Sequence, residues 1–286
     1  MIKNYLELNQ TELASLHDFI NRNETQKITL EQLHKKFQHE YFDYGKGSLI
    51  MLDNGTVVAK SQILYHAFNR TAYIRNIDLI EDHSAPKSAI DALVTHGVTT
   101  ARAYGALNIY IGVREERIKS IIDELNYERS YQSLVMTLAD RALKQVPLQL
   151  IKLEENNKYE YISIRNEAFS DAPNGGIISV KDVDEYLLDT SPGKYYFLAQ
   201  AENQNIGMLE IEMEESEDLF SIGLKRNWRN KGYGKRLLET AIDFLNQKEA
   251  HEICLIVISK NKRAYEMYLK RGFVVKKILT DWYVLG

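Results

Sequence analysis

The residues best equipped for chemistry are Arg229, Asn230, Lys231, Gly232, Tyr233 and Gly234, set between a strand-like run at 218–224 and a helical run at 235–247. A glycine turn at such a junction lets a ligand approach the backbone with no Cβ in the way. The first N–H groups of the helix have no internal acceptor, and the helix dipole adds partial positive charge beside them. That combination suits an anion, most naturally a phosphate or pyrophosphate. Lys225, Arg226, Arg229, Lys231, Lys235 and Arg236 add a basic cluster free of acidic residues, in a chain whose formal net charge is −4. Part of that cluster is ordinary solvated surface, so the backbone turn is the better signal. Two familiar phosphate loops fail here. A dinucleotide fingerprint needs a third glycine where Leu237 stands, and a P-loop needs glycine at Arg229 and a hydroxyl at Arg236.

A third pattern fits in full: arginine or glutamine, two residues, glycine, one residue, then glycine or alanine. Downstream lies an apolar strand-like run, Glu252–Ile258, followed by Asn261, Ala264, Tyr268 and the pair Gly272-Phe273. Asn261 and Tyr268 are seven residues apart, two helical turns, and share a face. Together these blocks, over about residues 218 to 275, resemble the two signatures of the GNAT superfamily of N-acetyltransferases. The resemblance implies acetyl-CoA as co-substrate. The backbone of Ile222, Gly223 and Leu224 would hold the pantetheine arm and thioester. Residues Arg229 to Gly234, with Lys235, would cradle the pyrophosphate, and Asn261 would contact the cofactor or simply cap a helix. Tyr268 would protonate the departing sulfur, although a tyrosine packing helix to sheet is the plain alternative in a chain with 18 tyrosines.

Acetyl transfer to an amine also needs a base. Asp218 begins the motif strand, at a position where some family members carry a basic carboxylate. Glu210 and Glu212 alternate with Leu209, Ile211 and Met213 and so share one strand face. They belong to an acidic run with Glu214, Glu215 and Glu217, which reads as a solvated strand face or as an attractor for a cationic amine. Seven histidines form no metal-ligand spacing, so no metal is expected, and Cys254 sits in an apolar strand as a core residue.

The elements that position these residues follow from pattern. From residue 147 the order is strand, two helices, three strands, helix, strand, helix and two closing strands at 274–279 and 282–285. A loop with Pro173, Gly175 and Gly176 is expected to border a substrate site. Residues 1–140 repeat this order, with a hairpin at Asp53-Asn54-Gly55. Aligning Ile80 with Leu224 puts Ala85, Ser88 and Ile90 where Arg229, Gly232 and Gly234 stand. The expectation is an α/β chain with mixed (α+β) sheets and two GNAT-like domains in tandem. The domain at 1–140 is degenerate and lacks the phosphate motif, and the domain at 147–286 is catalytic.

Length, 286 residues, suits two domains of about 150 residues each. The acidic balance speaks against nucleic-acid binding, no run reaches the ~18 apolar residues of a membrane span, and a single cysteine excludes an internal disulfide. A cytoplasmic acetyltransferase acting on a primary amine of a small molecule or peptide follows, in a ternary complex. The rival reading is a non-catalytic coenzyme A-binding sensor or scaffold. A homodimer stays open.

Overall fold

The computed structural model describes residues 1–172, 174–214 and 217–285; Pro173 and Glu215, singled out above, lie outside the described residues. The chain forms two compact units: Met1–Tyr131 with the residues from Thr280 onward, and Gln132–Leu279. The segment 141–146, where the sequence suggests a boundary, therefore falls inside the second unit. The reason is that two strands, 128–138 and 273–284, each change unit part-way along.

The first unit runs β1 (Ile2–Asn4), α1 (Gln10–Asn21), α2 (Leu30–Phe37), β2 (Ser48–Asp53), β3 (Thr56–His66), β4 (Thr71–Leu79), α3 (Pro86–Ala103), β5 (Asn108–Val113), α4 (Glu116–Glu124) and the start of β6 (Glu128–Leu138). Local chemistry sets the ends. Asn9 with Glu12 and Thr29 with Gln32 make reciprocal capping boxes that open α1 and α2. The β2–β3 hairpin turns on Asn54 (φ 47°) and Gly55 (φ 82°), the left-handed pair that a tight hairpin needs. β1 is only three residues long. Asn4 accepts from the Leu6 N–H while Glu7 reaches back to the Asn4 N–H, and this capping box bends Tyr5–Glu7 into a single 3-10 turn.

Strands β1 to β4 pair antiparallel in sequence order, β4 and β5 pair parallel, and Asp281–Val284 from the chain's end pair antiparallel with β5. The Tyr283 ring is part of this unit's core, among Ile74, Leu93, Ile111 and Ile122.

The second unit continues with β7 (Gln149–Lys152), α5 (Lys158–Phe169), α6 (Val180–Leu188), β8 (Lys194–Ala201), β9 (Gln204–Met213), β10 (Asp218–Leu224), α7 (Tyr233–Gln247), β11 (Ile253–Ile258), α8 (Lys262–Arg271) and β12 (Phe273–Val284). Its strands follow the order β7-β8-β9-β10-β11-β6. The two expected closing strands are one continuous strand, β12, because Thr280 and Asp281 between them are not a turn. Asp281 is buried there, with Lys119 at 3.4 Å and Arg129 at 3.6 Å.

Helix α7 buries Leu237, Leu238, Ala241, Ile242 and Leu245, the face its spacing predicts, and each large apolar side chain contributes about 1.5–3 kcal/mol on burial. The core of this unit includes one ion pair: Glu239 on α7 and Arg271 on α8 meet at 2.5 Å, with side chains 2% and 5% exposed. Arg271 also donates to the carbonyls of Asp140 and Ala142, and Glu239 accepts from the Lys144 N–H. No helix among the described residues is long and apolar enough to cross a membrane.

Candidate active site

The site begins where two parallel strands part. β10 pairs with β9 along its whole length, Asp218↔Met213 to Leu224↔Gly207. It pairs with β11 only from Asp218↔Ile253 to Phe220↔Leu255, while β11 goes on beside β6 to Ile258↔Ser133. The ladder between β10 and β11 therefore ends at Phe220, and the backbone of Ile222, Gly223 and Leu224 borders a cavity of about 700 Å³.

Gly223 has a second reason to be glycine. A Cβ there would come within 2.6 Å of the Ala168 Cβ on α5 and 3.2 Å of the Met208 sulfur, so the missing side chain lets α5 press onto the strand.

The turn after β10 opens onto the same cavity. Asn230 (φ 64°) and Gly232 (φ 88°) are both left-handed, and Gly232 is the N-cap of α7, with no side chain capping the helix. The first intrahelical bonds run from the Lys235 and Arg236 N–H groups to the Gly232 carbonyl. The Tyr233 and Gly234 amides precede them, as orphan donors at the positive end of a 15-residue helix. A Cβ on Gly232 would meet nothing within 4 Å, which leaves open space at the turn.

Of the residues expected to hold the cofactor, Ile222, Gly223, Leu224, Arg229, Asn230, Gly232, Gly234, Lys235 and Asn261 all line this cavity. Lys231 and Tyr233 do not line it. The Lys231 ammonium lies 5.6 Å from the Trp228 ring centre, and the Tyr233 hydroxyl donates to Glu202 while its ring packs edge-on against Trp228. These two anchor the loop from outside.

Arg229 does more bracing than its motif position suggests. Its guanidinium donates to the carbonyls of Leu224 and Ala168 and lies 3.6 Å from Asp171, tying the turn to β10 and to the end of α5. Asn261 caps α8 by accepting from the Ala264 N–H at 3.3 Å, so its capping role coexists with its place on the cavity wall.

Tyr268 lines the cavity from α8 and is otherwise enclosed by the core, its ring 5.9 Å from that of Phe273. Burial raises its pKa well above the ordinary phenol value, so the hydroxyl keeps its proton at any working pH. Among the described residues it has no hydrogen-bond partner.

The carboxylates expected as bases stand elsewhere. Asp218 is buried at the far end of β10 from Gly223 and accepts from the Glu252 N–H at 3.4 Å. Glu210 and Glu212 share the strand face toward α5 and α6, as their alternation predicts, but neither borders the cavity. Glu210 accepts from the Tyr161 hydroxyl at 2.7 Å and lies 3.6 Å from Arg165. Burial, then the Glu210 charge, pushes Tyr186 and Tyr196 up to about 12; their rings stack 4.4 Å apart. Glu212 is exposed.

Lining residues that the sequence did not single out are Lys260 and Arg263, at the start of α8, and Asp171 and Ala172, just before the loop expected to border a substrate site. The two cations flank the motif asparagine, a signal visible only once that asparagine is placed at a cavity. Cys254 is a core residue whose thiol burial pushes up to about 11. Among the described residues, no group of three or more His, Cys, Asp or Glu side chains is placed to hold a metal ion.

Residues 160–273 match the family model described as "Acetyltransferase (GNAT) family". Residues 160–273 are thus a GNAT-family domain, and the chain as a whole is similar in fold to a tandem GNAT protein. An uncharacterized N-acetyltransferase from Lactobacillus delbrueckii subsp. lactis is 21% identical over 145 residues, covering 44% of this chain and 83% of its own length. A tandem GNAT protein from the clavulanic acid biosynthesis pathway shares the fold with a TM-score of 0.62 at 11% identity, over 100% of this chain and 98% of that one. A probable N-acyltransferase from Enterococcus faecalis V583 does so with a TM-score of 0.66 at 13% identity, over 99% of this chain and 71% of that one.

This acyltransferase has unequal halves. In the first unit α3 begins at Pro86 after an Ala85 N-cap with φ −137°, in place of a left-handed glycine. Proline has no N–H to offer, and Ile90, at the aligned position of Gly234, is buried in the core. The anion turn is absent from that helix start.

Proposed function

We propose that the second unit transfers an acetyl group from acetyl-CoA to a primary amine, by direct attack in a ternary complex. One observation carries the reading: an uncapped helix start with two left-handed residues opens onto the same cavity as the parted strands and the Tyr268 phenol. The group fits, because a diphosphate needs donors without a protein acceptor and a backbone without side chains in the way. Gly234 on the cavity wall supplies an amide, with that of Tyr233 next to it at the same uncapped helix start, and Lys235, Lys260 and Arg263 bring positive charge to the wall. Bound acetyl-CoA supplies a thioester carbonyl open to attack.

The chain's own residues do the rest. Backbone groups at Ile222–Leu224, unmatched on the β11 side, orient the arm along the strand. The Tyr268 hydroxyl gives its proton to the sulfur as the carbon–sulfur bond breaks. A phenol with a raised pKa is a weak acid in water, but the burial that raises it also raises the basicity of a thiolate in the same cavity. The Glu210 face, rimmed by Tyr161, Tyr186 and Tyr196, selects a cationic amine. Glu212, exposed on the same face and off the cavity wall, adds to that attraction, and water carries the amine's proton away. Asp218, at the far end of its strand, is left with a structural role. Holding the two reactants together supplies most of the acceleration.

The deciding experiment is thiol release from acetyl-CoA against a panel of polyamines, aminoglycosides and peptides. Tyr268→Phe is expected to lower kcat about 10²-fold or more, with coenzyme A affinity within twofold of wild type. Tight coenzyme A binding without thiol release from any acceptor would favour the sensor reading instead. One observation favours that alternative: Asp171, the one carboxylate lining the cavity among the described residues, is already paired with Arg226 at 2.7 Å.

A further inference from the structure

The first unit, stripped of the phosphate turn, contains a polar cavity of its own. Its parallel pair also separates: β4 and β5 are in register only to Ile74↔Ile111, and a cavity of about 260 Å³ opens beyond that point. A bulge shapes its wall. Lys60 stands opposite Asp78 and Gln62 opposite Arg75, so β4 holds one extra residue there, with Asn76 left-handed at φ 53°. Ile74 and Ile77 can then both enter the core while Arg75 is turned to the opposite face.

The charge on this wall is one-sided. Lys36, Lys60, Arg75 and Arg114 line the cavity, against Asp78 and Glu115. Asp78 is already matched, by a two-pronged contact with Arg22 at 2.5 and 3.2 Å. Thr280 fixes Arg114 by accepting from its Nε at 3.3 Å, which leaves the two terminal nitrogens of that guanidinium unengaged among the described residues. The Arg75 guanidinium has no hydrogen-bond or ion-pair partner among the described residues, although its backbone belongs to the β3–β4 ladder. Burial, and then the neighbouring Arg114 charge, pulls its pKa down, and burial pulls the Lys60 ammonium down to about 8. A partly buried guanidinium beside a second one is costly without a counter-charge, and buried charges in proteins are almost always paired.

We propose that this cavity binds a small multivalent oxyanion, a phosphate or a polycarboxylate, on the paired guanidinium groups of Arg75 and Arg114 with the Lys60 ammonium beside them. Guanidinium forks match the geometry of both oxyanion types. The volume admits a compact metabolite. The site is independent of the acetyl-transfer reading, since every residue in it belongs to the first unit.

The cavity carries its own reporter, because Trp282 lines it and the chain has only two tryptophans. With Trp228→Phe as background, Trp282 emission would be titrated with inorganic phosphate, citrate and sodium chloride at matched ionic strength. Saturable change with phosphate or citrate, absent with chloride, is expected, and the better of the two identifies the source. Arg75→Gln should weaken that binding at least tenfold. Arg75→Met, which removes the unmatched charge, should melt at a higher temperature than the parent without anion and lose the parent's upward shift when anion is added. The proposal fails if chloride reproduces the change, if binding survives Arg75→Gln undiminished, or if phosphate and citrate shift the Arg75→Met midpoint as they shift the parent's.

Discussion

At the scale of single residues, the site depends on backbone conformations that side chains resist. Gly232 holds φ 88° with open space around its α-carbon, so its requirement is conformational and not steric. Gly232→Ala would place a β-carbon on a left-handed residue at a cost of about 1–2 kcal/mol, and the turn would relax away from it. Coenzyme A affinity measured by calorimetry is expected to fall about tenfold, with helical circular dichroism unchanged; full affinity would show that the turn is not the anion cradle. Gly223 is a different case. Its place inside the motif strand suggests a close ligand approach, and the structure adds a packing cause in Ala168, one that no linear pattern carries. Arg229 is similar: its motif position was legible, but its use as a brace to Leu224 and Ala168 depends on where α5 ends.

At the scale of elements, α7 and α8 are fastened by the buried pair Glu239–Arg271, which also gathers the 140–144 segment through its hydrogen bonds. Removing one partner leaves a buried charge alone. Glu239→Leu should cost about 3–5 kcal/mol in urea unfolding, and Glu239→Leu with Arg271→Met should recover most of that loss. A single variant as stable as wild type would mean that water reaches Arg271.

Periodicity made α7 readable to within two residues, because it buries one apolar stripe through Leu237, Leu238, Ala241, Ile242 and Leu245. The parting of β10 from β11 was not readable, since Asp218 to Leu224 is uniformly strand-like and only the neighbour's register shows where the ladder stops. The carboxylates suffered for the same reason: alternation gave the face shared by Glu210 and Glu212 correctly, but a face does not say which cavity lies nearby.

At the scale of the whole molecule, the two units are not consecutive stretches of chain. Residues from Thr280 onward complete the first unit's sheet and fill its core with Tyr283, while β6 from Ser133 to Leu138 completes the second unit beside β11. A chain ending at Leu279 should therefore lose the first unit selectively, with Trp282 and Tyr283 each worth about 3–5 kcal/mol in a core. Hydrogen exchange would report it: fast exchange at Ile109 and Ile111 in β5, with protection retained at Leu237–Leu245 in α7. Equal protection in both would show that the last strand is dispensable. The repeat order of elements was legible from turn residues such as Asn54-Gly55. This exchange was not, because β12 has the same apolar-and-charged texture before and after Leu279.

That late closure has a consequence during synthesis. Ribosomes add about 5–20 residues per second, so the outer edge of β5 waits many seconds for its partner while the whole second half is made. An unpaired edge is a template for pairing with other chains. A nascent first half of this protein is therefore its most aggregation-exposed state, and the arrival of Asp281–Val284 beside β5 is the event that seals it.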